Sequence, residues 1–217
     1  MDQDRLVESA YDRLYREYHQ RRVSGYWPTD YGIVDFVRRL AKGSQVLDVG
    51  CGSGFVAGKL AESGMEVSGI DISRNMLKLA RTSVKSAKFY RMDMRKIKFT
   101  SDTFDGITCI YSIIHVPRDE HLKILKSFQR ILRPGGILLV CFGVTEHEGT
   151  EEWTGWMSRM FWSSFDRGTN MRLVERAGLR LVWGRTLKET DGAHLFVLAR
   201  KSPITVGVSK RNSESAI

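Results

Sequence analysis

Val46-Leu47-Asp48-Val49-Gly50-Cys51-Gly52-Ser53-Gly54 starts as a short apolar run and ends with glycine at every second position. Such a run bounded by glycine reads as a buried strand. The amphipathic stretch Val56–Ser63 that follows reads as a helix, so the glycines form a strand-to-helix turn. A turn of this kind lets a ligand approach the backbone, and the helix N-terminus behind it offers unpaired amides. Taken alone it fits a nucleotide site or a simple bend equally well.

Outward from this turn, β-like runs alternate with helical stretches. Strands are predicted at Val46–Val49, Glu66–Ile70, Ala87–Arg91, Asp105–Tyr111 and Ile137–Phe142, with helices near Val56–Ser63, Arg74–Val84 and Asp119–Leu132. This is the pattern of βαβ units around a parallel sheet covered on both faces. Arg133-Pro134-Gly135-Gly136 reads as a turn closing the third helix, with glycine as its C-cap. A helix at Asn170–Ala177 and strands at Leu179–Leu187 and His194–Arg200 follow. The Lys188–Ala193 connection is too short for a parallel crossover, so the last two strands pair as an antiparallel hairpin.

Ahead of the sheet, Asp2–Arg22 and Ile33–Leu40 read as helices separated by Val23–Pro28. The expected organisation is one domain over residues 1–201, with a helical lid at 1–42 and an acceptor-side insertion at 145–168. The polar tail 202–217 lacks periodicity and reads as disordered.

The 217 residues carry a net charge of +9, 42% hydrophobic and 27% charged side chains, ordinary for a globular chain. The charge permits attraction to nucleic acid. Lys123, Lys126 and Arg130, however, form a solvated helix face opposite Leu122, Leu125, Phe128 and Leu132. A second group, Arg91, Arg95, Lys96 and Lys98, lacks interleaved aromatic residues and is a weak phosphate patch. Apolar runs are too short to span a bilayer and the N-terminus lacks a secretory apolar core, so a cytoplasmic location without membrane association is expected. Cys51, Cys109 and Cys141 have no CxxC spacing and sit in apolar stretches, which predicts reduced, buried thiols and no metal site.

Two further acids sharpen the glycine turn. Counting from Gly50, Phe55 stands where the dinucleotide fingerprint needs its third glycine, which argues against a nicotinamide or flavin cofactor. Asp71 closes the second strand 21 positions after Gly50, where a carboxylate can accept from both hydroxyls of a ribose. The alternative is that it N-caps the next helix. Asp93 follows the third strand and suits an exocyclic adenine amine; taken alone it equally fits a solvated loop residue. Three acids after three successive strands are hard to dismiss.

From Val46 to Val140 the chain resembles the class I S-adenosylmethionine (SAM)-dependent methyltransferase family, in its small-molecule branch. VLDVGCGSG, GIDIS, YRMDMRKI, FDGITCIYSIIHV and LRPGGILLV match the family's successive motifs. The resemblance implies a three-layer, Rossmann-like α/β fold whose seven-stranded sheet is parallel except for the last strand. It also implies SAM as cofactor. Gly50, Gly52 and Gly54 would contact its methionine part, Asp71 the ribose and Asp93 the adenine amine. Met94 would pack on the adenine ring, Tyr111 or Ser112 would lie near the sulfonium, and Asp48, Cys51 and Ile72 would complete the contacts.

On the acceptor side, His115 lies beyond the fourth strand, where ligands of parallel sheets bind, and is the candidate general base. Its alternative is a histidine that caps or packs the following turn. His147 and His194 are weaker candidates. In Glu151–Asp166, positions 153, 156, 157, 160 and 161 form one helical face, so a core-packed helix is expected. With Tyr11, Tyr15 and Tyr18 this stretch also suggests an apolar or aromatic acceptor pocket. The expected activity is methyl transfer to a small molecule. An RNA or protein acceptor, or a SAM-binding protein without turnover, are the alternatives.

Overall fold

A computed structural model of the chain describes residues 3–24, 32–189 and 192–203. The tail expectation for 202–217 therefore falls mostly outside the described residues, as does Gly25–Pro28. The helices are α1 (Gln3–Val23), α2 (Ile33–Val37), α3 (Phe55–Glu62), α4 (Arg74–Ser83), α5 (His121–Ile131) and α6 (Arg167–Arg176). The strands are β1 (Gln45–Val49), β2 (Glu66–Asp71), β3 (Lys88–Arg91), β4 (Phe104–Cys109), β5 (Leu132–Gly143), β6 (His147–Trp153), β7 (Ser158–Ser164), β8 (Leu179–Glu189) and β9 (Gly192–Lys201).

Seven strands form one sheet in the order β3-β2-β1-β4-β5-β9-β8. Only β9 runs antiparallel to its neighbours β5 and β8; the rest of the sheet is parallel, as expected. The run Ile137–Phe142 shows why its strands are apolar at every position. Leu138, Val140 and Phe142 face a core built with Ile124 and Phe128 of α5 and Leu173 of α6. Ile137, Leu139 and Cys141 face the opposite core, with Phe36 of α2, Leu60 of α3 and Leu77 of α4. Both faces are covered, so neither parity of the strand meets water. Strand order reverses between β1 and β4, which opens a crevice beyond their C-terminal ends.

Two local expectations are corrected. Arg133–Gly136 does not form a helix C-cap turn. Helix α5 stops at Ile131, and the chain enters β5 directly with Leu132 opposite Phe104. The register then shifts before Gly106 pairs with Ile137, and Gly135 takes a φ of +81° there. Proline has no amide for the ladder and glycine tolerates the bulge, so the same residues that end a helix here kink a strand.

Nor is Glu151–Asp166 a helix. Strands β6 and β7 form a separate antiparallel hairpin, with Trp153 opposite Ser158 and Thr150 opposite Phe161. Gly155 at φ +77° and Met157 at φ +46° make its turn, a conformation no right-handed helix accepts. Met157 is 93% exposed, while Met160 and Phe161 are buried with Val7 and Ala10 of α1.

Helix α1 bridges this hairpin and the sheet. The Asp12 carboxylate accepts from Ser73 Oγ at 2.5 Å and from the Asn75 amide at 3.0 Å, pinning α1 to the start of α4. Arg13 and Arg21 donate to the carbonyls of Met157 and Gly155 at the hairpin turn.

Candidate functional site

The crevice holds a cavity of about 440 Å³, within the ordinary range for small-molecule sites. Its floor is the glycine turn. The Gly50 and Cys51 amides both donate to the Ile70 carbonyl, at 2.8 and 3.0 Å, so the turn leaves β1 still tied to β2. Gly50, at φ +68°, passes so close to β4's end that a Cβ there would lie 2.2 Å from Ser112 Cβ. Gly52 lines the cavity with open space where its Cβ would be. Gly54 does not line it; its φ of +87° opens α3 and its backbone packs on Ala80.

Asp71 sits at the end of β2 and braces this turn. Its Oδ2 accepts from the Gly52 amide and its Oδ1 from the Ser73 amide, each at 2.8 Å. The N-cap of α4 is Ser73, whose hydroxyl accepts from Met76, so Asp71 is not the cap. Burial, opposed by its amide bonds, pushes the carboxyl up to about 6. With about four acceptor positions and two amides on it, the carboxylate keeps capacity for hydroxyl donors.

Asp48 is buried deeper in β1, and desolvation lifts it to about 7. Thr108 donates to Oδ1 at 2.8 Å. Oδ2 has no hydrogen-bond partner among the described residues; the Ala57 amide lies near without closing a bond of normal geometry. Orphaned buried acceptors are rare, and one on a cavity wall fits a ligand's donor.

At the other end, Asp93 follows β3 and caps the short 3-10 helix Met94–Lys96. Burial would raise its carboxyl, but Arg95, donating from Nε and from a terminal nitrogen at 2.6 Å, holds it below the usual range. The Arg95 fork thus shares the acceptor expected for an amine. Arg91 is likewise engaged, with Glu8 at 2.5 Å and the Ile72 carbonyl at 3.0 Å. Two members of the basic group read as a phosphate patch are therefore committed to internal partners.

Ile72, Met94, Cys51 and Tyr111 all line the cavity. Burial pushes the Cys51 thiol well above its ordinary value and that of Cys109 to about 12, so neither is a thiolate. Tyr111, at φ +51°, packs its ring 4.9 Å from His194. His194 and the exposed His147 are not among the cavity-lining residues.

His115 does line the cavity and is fully dressed by protein. Its Nδ1 lies 3.0 Å from the Phe161 carbonyl of β7, and a carbonyl only accepts, so Nδ1 carries the hydrogen. Nε2 is then the lone pair and accepts from Tyr11 Oη of α1 at 2.9 Å. Burial holds the Tyr11 phenol well above its ordinary value, keeping it a donor. Burial also lowers the imidazole to about 4, so the ring is neutral at physiological pH. Trp162 packs against it at a tilt of 42°, with centroids 4.6 Å apart.

The sequence reading did not find Ser53, Phe55, Arg22 or Arg95 as wall residues. Ser53 lies within the glycine-turn motif and Phe55 directly follows it. Arg22 had no local signal, since it ends a helix that reads as an ordinary charged one.

Residues 46–136 match the family model described as a methyltransferase domain. Methyltransferase GfsG of Streptomyces halstedii is 33% identical over 184 residues, covering 73% of this chain and 65% of that protein. Residues 46–136 are a methyltransferase domain, and the fold is that of class I SAM-dependent methyltransferases. A demethylmenaquinone methyltransferase of Bacillus pumilus is 28% identical over 157 residues, 67% of this chain and 65% of that protein. The chain thus spans just under two thirds of the length of both relatives. A SAM-dependent methyltransferase structure from Methanosarcina mazei superposes with a TM-score of 0.69 at 22% identity, covering 79% of this chain and 97% of that one.

S-adenosylmethionine is the cofactor of this methyltransferase class, and the residues present fit it. Asp48, whose Oδ2 has no partner among the described residues, Asp71 with its spare acceptor capacity and Gly52 with its bare backbone all line one cavity. Among the described residues no group of three or more His, Cys, Asp or Glu is placed to hold a metal ion, and no helix is long and apolar enough to cross a membrane.

Proposed function

We propose that this chain transfers the methyl group of SAM to an oxygen or nitrogen of a small organic molecule, with His115 taking the acceptor's proton. The observation that carries this reading is that a single cavity is lined both by the glycine turn with Asp71 and by His115 and Tyr11. When bound, SAM supplies an activated methyl group on a sulfonium, so the protein supplies position, desolvation and a proton sink.

In this reading Asp48, Gly50, Gly52, Asp71, Asp93 and Met94 hold the cofactor. Helix α1 and the β6–β7 hairpin, which lie within the expected lid at 1–42 and insertion at 145–168, enclose the acceptor end. The Phe161 carbonyl fixes the His115 tautomer and leaves Nε2 as the basic atom, and Tyr11, whose hydroxyl occupies that lone pair, relays the acceptor's proton by passing its own to Nε2 as it takes the acceptor's. A base held near 4 does not ionise a hydroxyl in advance; it takes the proton as the new bond forms. Val7, Tyr11, Tyr18 and Val116 give this end an apolar, aromatic wall. The relative named for demethylmenaquinone supports a small-molecule acceptor.

Incubation with methyl-labelled SAM and a metabolite extract is expected to move label into the small-molecule fraction. Label found only in RNA or protein would overturn the reading. On the acceptor so found, His115→Ala is expected to slow turnover about 10²- to 10⁴-fold. Its affinity for S-adenosylhomocysteine should stay within about threefold, because that residue touches the acceptor half. Unchanged turnover would remove the base role.

A further inference from the structure

The proton relay needs two distant parts of the chain to meet: His115 stands beyond β4 and Tyr11 on α1, 104 positions apart. The histidine side is fixed. Its Nδ1 is held at the Phe161 carbonyl, and the following carbonyl, that of Val116, accepts from Ser163 of β7 and lies 3.0 Å from His121 Nε2. The Tyr11 side depends on where α1 lies. Its bond of 2.9 Å would be gone by about 3.6 Å, which leaves α1 less than about 1 Å of tolerance.

Burial of Val7 and Ala10 against Met160 and Phe161 holds α1 to β7. Apolar burial is non-directional, so the position of α1 along its own axis falls to directional ties. Glu8 pairs with Arg91, but these side chains are 30% and 45% exposed, and a surface pair positions weakly. His19 meets Ser53 about two turns beyond Tyr11. Asp12 is the neighbour of Tyr11 and is tied by both side chain and backbone. Its Oδ1 accepts from Ser73 Oγ at 2.5 Å and from the Asn75 amide at 3.0 Å, and its carbonyl accepts from Asn75 Nδ2 at 2.8 Å. Bonds to a carboxylate are among the stronger ones.

Ser73 is a firm anchor. It is fully buried, its hydroxyl accepts from the Met76 amide at 3.1 Å, and its own amide donates to Asp71 Oδ1 at 2.8 Å. Asp71 in turn accepts from the Gly52 amide of the glycine turn. Successive helical residues project about 100° apart, so one turn of α1 sets Asp12 on this anchor and Tyr11 on the cavity wall.

We infer that Asp12 is a positioning residue for methyl transfer: by docking α1 on Ser73 and Asn75 it places the Tyr11 hydroxyl on His115 Nε2, so that the glycine turn and the proton relay share one anchor. This rests on the relay proposed above. Asp12 is not among the cavity-lining residues and acts through Tyr11.

The test uses the full chain with ¹⁵N-labelled histidine and, for turnover, the acceptor found with methyl-labelled SAM. Asp12→Ala is expected to move the His115 Nε2 resonance to the position it takes in Tyr11→Phe, because both lose the same hydrogen bond. Turnover should fall about 10- to 100-fold, with S-adenosylhomocysteine affinity within about threefold of wild type. Asp12→Asn, whose Oδ1 still accepts both bonds, should restore the resonance and the turnover. Adding Asp12→Ala to Tyr11→Phe should cost no further turnover, since the two changes break one contact. A wild-type Nε2 resonance in folded Asp12→Ala, or an added loss in the double variant, would overturn the assignment and leave Asp12 a structural latch. If Asp12→Ala does not fold, Asn75→Ala, which removes the donor to the Asp12 carbonyl, decides by the same resonance: no displacement toward the Tyr11→Phe position overturns it. Wild-type turnover in Tyr11→Phe would instead overturn the relay, so the two failures are distinct.

Discussion

Replacing Gly50 by alanine is expected to abolish measurable S-adenosylhomocysteine binding and to lower the melting temperature by about 5–15 °C. Two costs add. The φ of +68° is left-handed, which costs a side chain about 1–2 kcal/mol. The new Cβ would also fall 2.2 Å from Ser112 Cβ and 2.7 Å from its Oγ. Ser112 cannot swing aside freely, because its hydroxyl donates to the Val49 carbonyl at 2.8 Å and meets Cys109 Sγ at 3.1 Å. Overpacking of this kind costs about 1–3 kcal/mol, and relief by shifting the turn moves the amides that face the ligand. Adding Ser112→Gly removes the clash and leaves the backbone cost, so the double variant should regain part of the lost stability. Gly50→Ala with affinity within threefold of wild type would show that the close approach is not needed.

Cofactor affinity is expected to fall at least tenfold between pH 7 and pH 5, with proton release on binding near pH 6.5. The folded carboxyls of Asp71 and Asp48 lie at about 6 and about 7, both raised by burial from an ordinary value near 3.8. Below those values each holds a proton, and a protonated carboxyl is a poorer acceptor for hydroxyl or ammonium donors. Binding therefore favours the ionised forms and expels protons, with up to a tenfold change per pH unit per group. The same shifts act on the free chain with the opposite sense. Folded carboxyls above their unfolded values make it lose stability as pH rises from about 4 to 7. His115, lowered from about 6.5 to about 4, works against this by adding stability as pH rises across that lower range. Above about 6.5 the loss is governed by Asp48, and the melting-temperature gain from S-adenosylhomocysteine should be larger at pH 7 than at pH 5. Calorimetry in buffers of different ionisation enthalpy reads the protons directly. Affinity flat across this range, or proton uptake, would refute the linkage, and Asp71→Asn should flatten the profile in part.

The glycine-turn half of the cavity was legible because its signals are local. A strand end, a glycine turn and an acid one βα unit later lie within 21 positions of Gly50, and each element is fixed by its own periodicity and punctuation. The aromatic stretch was misread because apolar residues at 153, 156, 157, 160 and 161 satisfy a helical period. A β hairpin won through the positive φ values of Gly155 and Met157, which hydrophobic pattern does not encode. Arg133–Gly136 was misread for a related reason: proline and glycine mark a break without saying whether a helix ends or a strand bulges.

Sequence by itself determined the α/β order, the doubly covered sheet and the three acids that successive strands bring to one cavity, because these follow from short-range pattern and from the rules of parallel sheets. Only the tertiary structure decided what surrounds the reacting end. His115 meets Tyr11 across 104 positions and Phe161 across 46. Arg22 reaches Phe55 and Tyr111 only after α1 folds back over the crevice. Such pairings depend on how elements pack rather than on how each forms, and a histidine's tautomer or a buried arginine's surroundings are a property of that packing.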